Sequence, residues 1–428
     1  MSPLASVART IGRFGRSRIP PQLVVQITNR CNARCPQCGM RRSADIARFD
    51  LPAAVMERLL GACAVKGVQA ISFTGGEPLL MRADLVRWLQ AAGRAGIPYI
   101  RTGTNGFLLQ GAERPDFTSR IQRLAETLAA TPLRNFWISL DSALSEVHEG
   151  MRGLPGVVAG IEKALPIFHA AGIYPSANLG LNRCVGGERT HALRPEAYDG
   201  RPAYLAAFYR AYGDALDRFY RFAADLGFTI VNTCYPMSID APETAGGLKA
   251  VYAATAVEDL VRYAADEKAM LYKALLDTIP RHRGRLRIFS PLSALHALQQ
   301  SHAGAAGTDA FGCRGGVDFF FIDAQAGDTY PCGYRGNENM GKFWELDLNA
   351  IRPDGDCRRC DWECFRDPSE LCAPFLLALH APLRLMGKMR GDGRYRRLWI
   401  EDLRYYHACD LFDGRRPPRP GRLRRFSI

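Results

Sequence analysis

The sequence contains no run of 18 consecutive apolar residues, which argues against a helical membrane span. Its opening residues show neither an apolar h-region nor a small-residue cleavage pattern. A secretory signal is therefore not expected, and a cytoplasmic location is. Histidine is scarce at eight residues, and His282, His296 and His302 are too far apart to form a ligand motif. Net charge is also scarce through the body of the chain. Arg9, Arg13, Arg16 and Arg18 near the start, and Arg415, Arg416, Arg419, Arg422, Arg424 and Arg425 near the end, account for ten of the thirteen net positive charges. The body is thus not a basic nucleic-acid binder, and no nucleic-acid partner is expected. A solvated tail is the simplest reading of the basic ends; docking of an acidic electron donor, an anionic substrate or anionic lipid are the alternatives. No internal repeat is visible.

What is present is enough apolar content, 47% of 428 residues, for one large α/β core and a smaller second unit. That excludes a disordered chain and a disulfide-stapled mini-protein. Candidate strands at 22–28, 68–74, 97–103, 136–140, 173–179 and 228–234 alternate with helical patterns near 52–66, 82–95, 117–130, 155–171 and 202–226. Crossovers of this length imply parallel strands. Six such units fit a partial (β/α)6 TIM-like barrel, with a flavodoxin-like open sheet as the alternative. Chemistry is expected at the C-terminal strand ends in both. The remainder divides into a basic arm (1–21) before the barrel (22–235), a helical connecting region (236–308), a small cysteine-rich domain with a β-hairpin (309–375) and a basic tail (376–428). The connecting region is broken at Ala245-Gly246-Gly247, and residues 304–308 read as a linker.

The thirteen cysteines cluster, and without a signal sequence such clusters read as metal ligands rather than disulfides. Cys31, Cys35 and Cys38 follow the first strand at CxxxCxxC spacing. Three thiolates on one tight loop hold three irons of a cubane and leave the fourth iron without a protein ligand. Zinc is the competing reading, but a structural zinc wants a fourth Cys or His nearby, and none precedes Cys63. The second strand ends in Thr74-Gly75-Gly76-Glu77-Pro78, where paired glycines let backbone approach a ligand closely. The two motifs end successive strands and therefore share one rim.

With both motifs in hand, residues 22–235 resemble the radical S-adenosylmethionine (SAM) superfamily. The resemblance implies a [4Fe–4S] cluster on Cys31, Cys35 and Cys38 whose open iron chelates SAM. Reductive cleavage of SAM would give a 5′-deoxyadenosyl radical that takes a hydrogen atom from substrate. It also implies SAM contacts from Gly75, Gly76 and Glu77, from Asn105 in Thr104-Asn105-Gly106, from Ser139 and Asp141 after the fourth strand, and from Arg152 and Asn178. Gln37 stands where relatives carry an aromatic residue against adenine; its amide can hydrogen-bond the base instead.

Cys313, Gly327 and Cys332, followed by Cys357-Arg-Arg-Cys360, resemble the auxiliary-cluster modules called SPASM and twitch domains. The continuation to Cys364 as CxxxC departs from the full SPASM pattern. The resemblance implies an auxiliary [4Fe–4S] cluster on Cys313 and Cys332 with two ligands from Cys357, Cys360 and Cys364. A second auxiliary cluster would need leftovers plus Cys372 or Cys409. A zinc on Cys357, Cys360 and Cys364 is the structural alternative. Such a cluster suits oxidation or bond formation, on a peptide or protein substrate or on a sugar-like or lipid metabolite. A flavodoxin- or ferredoxin-type donor would supply electrons. Cys184 and Cys234 follow the fifth and sixth strands, where a thiol can give a hydrogen atom to a substrate radical; Tyr235 adjoins them. As plain core residues they need no function. A non-catalytic iron–sulfur redox sensor or electron carrier is the remaining alternative.

Overall fold

The computed structural model describes residues 12–38, 47–237, 248–251, 259–304 and 310–426 apart from 354 and 356. The expected break at 245–247 and most of the 304–308 linker lie outside the described residues.

Strand β1 (Gln22–Thr28) is an apolar run buried over six of its seven positions, as a strand covered on both faces requires. It is followed by helix α1 (Ala53–Lys66), built from good helix formers and stopped by Gly67 at φ 63°, the left-handed conformation that glycine adopts without strain. The pattern repeats through β2 (Ala70–Gly75), α2 (Arg82–Arg94), β3 (Tyr99–Thr104), α3 (Phe117–Ala129) and β4 (Asn135–Ser139). It continues through α4 (Ser145–Arg152), α5 (Val157–Ala170), β5 (Ser176–Gly180), α6 (Gly200–Leu226) and β6 (Ile230–Cys234). Helix α6 turns Tyr204, Phe208, Tyr212, Leu216 and Phe219 inward at helical spacing, which fixes the face it lays on the sheet.

The strands hydrogen-bond in chain order and parallel, from β1 to β6. Beyond β6 the structure adds an edge that the sequence reading passed over as helical. Between α7 (Ala265–His282) and α8 (Leu292–His302), the two-residue strand β7 (Arg287–Ile288) pairs with β6. On the other side, β8 (Phe319–Ile322) runs parallel to β1, with Gln22 opposite Phe319. It turns back antiparallel into β9 (Thr329–Tyr330), the expected hairpin. The cysteine-rich segment thus shares the barrel's sheet.

Two segments close what the strands leave open. Helix α9 (Glu363–His380) begins across the seam between the β6–β7 side and the β1–β8 side of the sheet. Gln22 Nε2 donates to Cys364 O at 3.1 Å, and Tyr235 N donates to Glu363 Oε2 at 3.3 Å. At the N-terminal strand ends, residues 412–414 act as a stopper. Tyr99 Oη donates to Phe412 O (3.1 Å), Gly414 N to Arg134 O (2.7 Å), and Tyr174 N to Gly414 O (2.7 Å). A Cβ on Gly414 would meet Arg134 O at 2.8 Å, so the close approach requires glycine. The expected solvated tail is therefore folded over most of its length. Asp410 draws Arg416, Arg419 and Arg422 to 3.3, 3.3 and 3.9 Å, and Phe426 is buried against Tyr405. Among the described residues no helix is long and apolar enough to cross a membrane.

Candidate functional site

The loop after β1 carries Cys31, Cys35 and Cys38 at the C-terminal end of the strands. Thr28 Oγ1 and Arg30 Nε both donate to Asp50 Oδ1, at 2.6 and 2.9 Å, which fixes the loop's first turn. Cys38 N donates to Cys35 O at 3.2 Å, folding the last two cysteines toward each other. Cys35 is buried; Cys31 and Cys38 are half-buried. Burial pushes the Cys35 thiol up to about 11; Arg152 opposes the rise, while Asp141, Cys38 and Cys31 add to it.

The glycine pair locks onto this loop from below. Gly76 N donates to Thr28 O and Glu77 N to Arg30 O, both at 2.8 Å. A Cβ would stand 2.0 Å from Thr28 O at Gly75 and 1.9 Å from Arg30 O at Gly76. The space these glycines leave is filled by the cysteine loop's own backbone. Glu77 is fully buried and ties three strands together. Its Oε1 accepts from Leu79 N at 3.0 Å and its Oε2 from Asn105 N at 2.6 Å. Desolvation raises its carboxyl to about 7 against those two donors. Asn105 completes the tie, its Nδ2 reaching Asn32 Oδ1 at 2.9 Å and Cys31 Sγ at 3.7 Å.

Asp141 and Arg152 form a bidentate pair beside the same loop, both bonds 2.7 Å. Burial alone would raise the Asp141 carboxyl, but Arg152 outweighs it and holds the group below its ordinary value. Burial would lower the Arg152 guanidinium, and Asp141 with the Cys35 and Cys38 thiols overcomes it, holding the group firmly charged. Arg34 N donates to Arg152 O at 2.8 Å, coupling this pair to the cysteine loop. Gln37 Oε1 is buried without a partner among the described residues, an acceptor suited to the exocyclic amine of a base. Ser139 is buried at the end of β4, opposite Asn178 in register.

Inside the barrel lies a cavity of about 160 Å³. Ser72, Arg101, Trp137, Asn178, Asn232 and Cys234 line it from the strands, and Trp362, Glu363 and Cys364 from the seam. Asn178 Oδ1 accepts from Asn232 Nδ2 at 2.8 Å and from Cys234 Sγ at 3.5 Å. Cys364 Sγ donates to Glu363 Oε1 at 3.5 Å. Arg101, Asn232, Trp362 and Glu363 escaped the sequence reading. The available signal was polar residues two apart within otherwise apolar strands, as in Ser176/Asn178 and Asn232/Cys234. Tyr235 is not among the residues that line the cavity. It is buried, and its hydroxyl donates to Asp367 Oδ2 at 3.2 Å. Cys184 sits half-buried in the loop after β5, where burial and the charges of Glu188 and Asp141 raise its thiol.

The second cysteine set assembles around the hairpin. Cys313 N donates to Cys357 O at 2.8 Å, and Tyr334 N donates to Cys332 Sγ at 3.4 Å. Burial raises the thiols of Cys313, Cys332 and Cys360. Cys313 and Cys357 act on Cys332, and Cys332 and Cys313 on Cys360, so the four sit within electrostatic reach of one another. Cys364, expected among these ligands, instead lines the barrel cavity, because α9 starts across the seam. The charges acting on its thiol are Glu363, Arg101 and Asp367. Cys372 feels Arg314 and Asp318, and Cys409 is fully buried beside Tyr405 and Phe412, apart from the four hairpin cysteines. Among the described residues no three Cys, His, Asp or Glu side chains converge on a single-ion site. A multi-iron cluster takes each thiolate to a different iron and holds its ligands farther apart than one ion does.

Comparison with known proteins follows the same division. The family model described as the Radical SAM superfamily matches residues 25–189. A probable GTP 3′,8-cyclase of Thermococcus kodakarensis is 30% identical over 173 residues, 40% of this chain and 51% of that protein. The PqqA peptide cyclase of Gluconobacter oxydans is 28% identical over 164 residues, 38% of this chain and 42% of that protein. The crystal structure of Streptococcus suis SuiB bound to S-adenosylmethionine aligns over 81% of this chain and 69% of its own, at 16% identity and a TM-score of 0.48. The chain spans about half or less of the length of these two curated relatives. The family match begins within β1 and takes in both the cysteine loop and the glycine pair, so the likeness to the radical SAM superfamily rests on residues 25–189.

Proposed function

We propose that this chain is a radical SAM enzyme that opens SAM at a [4Fe–4S] cluster held by Cys31, Cys35 and Cys38. The observation that carries the proposal is the keying of the cysteine loop to the glycine pair through two 2.8 Å backbone hydrogen bonds. When bound, the cluster supplies the electron that cleaves the sulfonium and releases a 5′-deoxyadenosyl radical. The chain's own residues then position and enclose. Arg152, oriented by Asp141, presents fixed positive charge beside the cysteines, suited to the carboxylate of SAM. Gln37 offers its unpartnered acceptor to adenine. Ser139 stands opposite Asn178 in register, and Asn178 lines the cavity. Asn105 and Glu77 hold the three loops in register and so keep the reacting groups in place.

Cys313, Cys332, Cys357 and Cys360 supply four thiolates for one auxiliary [4Fe–4S] cluster. Full ligation suits exchange of a single electron with the barrel rather than substrate binding. Cys313 and Cys357 open toward a surface pocket of about 680 Å³ lined by Arg335, Arg358 and Arg359 with one acid, Glu338, between them; this net positive rim suits an acidic donor of the flavodoxin or ferredoxin type. The substrate is proposed to be a peptide or protein presenting one side chain. The cavity is smaller than the ~300–1,000 Å³ that whole small ligands occupy. The likeness to a peptide cyclase points the same way. The polar lining of Ser72, Asn178 and Asn232 favours a second reading, the same chemistry on a hydroxylated metabolite.

Anaerobically reconstituted protein is expected to hold about eight irons per chain and, once reduced, to convert SAM to 5′-deoxyadenosine. Full iron content with no 5′-deoxyadenosine would overturn the proposal.

A further inference from the structure

The barrel cavity holds a group of side chains that SAM binding does not use. Cys234 comes from the end of β6 and Cys364 from the start of α9, on opposite sides of the seam. Both thiols and the Glu363 carboxylate line the one cavity. Cys364 Sγ donates to Glu363 Oε1 at 3.5 Å, and Cys234 Sγ donates to Asn178 Oδ1 at 3.5 Å. Glu363 is held in turn by Tyr235 N at 3.3 Å. Asn178 Oδ1 accepts from the Cys234 thiol and from Asn232, which fixes that thiol. Two thiols that each donate to an oxygen acceptor in one buried cavity are protonated S–H groups rather than thiolates. Protonated thiols are poor metal ligands and poor nucleophiles. Their S–H bonds are, however, weak enough to give up a hydrogen atom to a carbon radical.

We propose that Cys364, paired with Cys234 across the cavity, donates a hydrogen atom to a substrate carbon radical formed above it, with Glu363 as the positioning residue that holds the Cys364 thiol. The proposal rests on the radical SAM reading and specifies its outcome. The adenosyl radical breaks a substrate C–H bond and becomes 5′-deoxyadenosine. The substrate radical then forms a new C–H bond with the hydrogen of Cys364, whose S–H bond breaks to leave a thiyl radical. One electron from the low-potential donor that drives SAM cleavage, with one proton from solvent, restores the thiol. Each turnover thus consumes one SAM and two electrons. The substrate is inverted or rearranged at carbon with its oxidation level unchanged.

The test uses the reconstituted holoenzyme and SAM alone in deuterium oxide, where thiol hydrogens exchange with solvent. Wild-type protein is expected to place solvent deuterium in 5′-deoxyadenosine. Cys364→Ser, which keeps the side-chain volume, is expected to keep the full iron content and to lower deuterium incorporation at least fivefold. Cys360→Ala is expected to lose about four irons per chain. Loss of about four irons from Cys364→Ser would make Cys364 a cluster ligand and overturn the proposal. Unchanged deuterium incorporation in Cys364→Ser, with iron intact, would overturn it and leave the radical SAM reading standing. Absence of 5′-deoxyadenosine from wild-type protein would instead remove that reading and this proposal together.

Discussion

The two cysteine sets are built in opposite ways. The first places three thiols within eight residues on one loop, and its surroundings come from three other strand ends, Gly76 and Glu77, Asn105 and Asp141, and from Arg152 at the end of α4. The second draws four thiols from three segments, and the strand pairing of a hairpin brings them together. In the first, chain spacing sets the ligands and tertiary structure sets their support. In the second, tertiary structure sets the ligands themselves. A local motif is thus robust in its ligand set and exposed in its scaffold, whereas a dispersed set has the reverse weakness.

The sharpest way to break this comparison is to remove one thiol from each set. Cys35→Ala is expected to abolish 5′-deoxyadenosine formation, by about 10³-fold or more, while keeping about half the iron. Cys332→Ala is expected to lose a similar share of iron yet still cleave SAM. Iron analysis and product chromatography on the same samples check both. Next in size is the scaffold of the first set. Arg152→Ala leaves the Asp141 carboxylate buried and unpaired and is expected to cost about 3–5 kcal/mol in denaturant unfolding. Gly76→Ala forces a Cβ to within 1.9 Å of Arg30 O. It is expected to cost about 1–3 kcal/mol and to lower SAM cleavage with it.

A smaller effect separates the supports by pH. Glu77 binds its proton more tightly folded, with a value of about 7, than unfolded, at 4.5. The folded state therefore holds more protons through this interval. The Glu77 contribution to stability is present in full below about 4.5 and is lost as pH rises through 7. Stability from this group should fall by on the order of 1 kcal/mol between pH 5.5 and 7. Glu77→Gln should flatten that part of the unfolding-versus-pH curve; an unchanged slope would remove Glu77 as its source. Smallest of all is Arg419→Ala. It removes one of three half-exposed guanidinium groups from Asp410 and is expected to change stability by less than about 1 kcal/mol. A larger loss in thermal unfolding would show the stopper to be more dependent on that one contact.

The six strands and the helices between them were readable because buried parallel strands are nearly continuous apolar runs and the helices carry an apolar stripe. β7 was not, since two residues carry no period and only pairing with β6 makes Arg287–Ile288 a strand. Cys31, Cys35 and Cys38 were readable from spacing. Cys364 was misplaced for the same reason: its spacing continues the CxxC run, whereas the start of α9 at Glu363 sends its side chain into the barrel. The folded end of the chain was hidden because its arginines look unopposed in sequence. Their partner Asp410 lies only a few residues away, but the turn that presents it to them appears only in three dimensions.

Strand β1 is shared property, bonded on one side to β2 and on the other to β8. A fragment that kept all of β1 but ended before β8 would lay bare the Gln22–Val25 side of β1, a short row of unsatisfied amides inviting the flank of another molecule. Excision would therefore yield a sticky, self-associating piece, and the smallest workable unit for expression includes the hairpin and the helices beyond it.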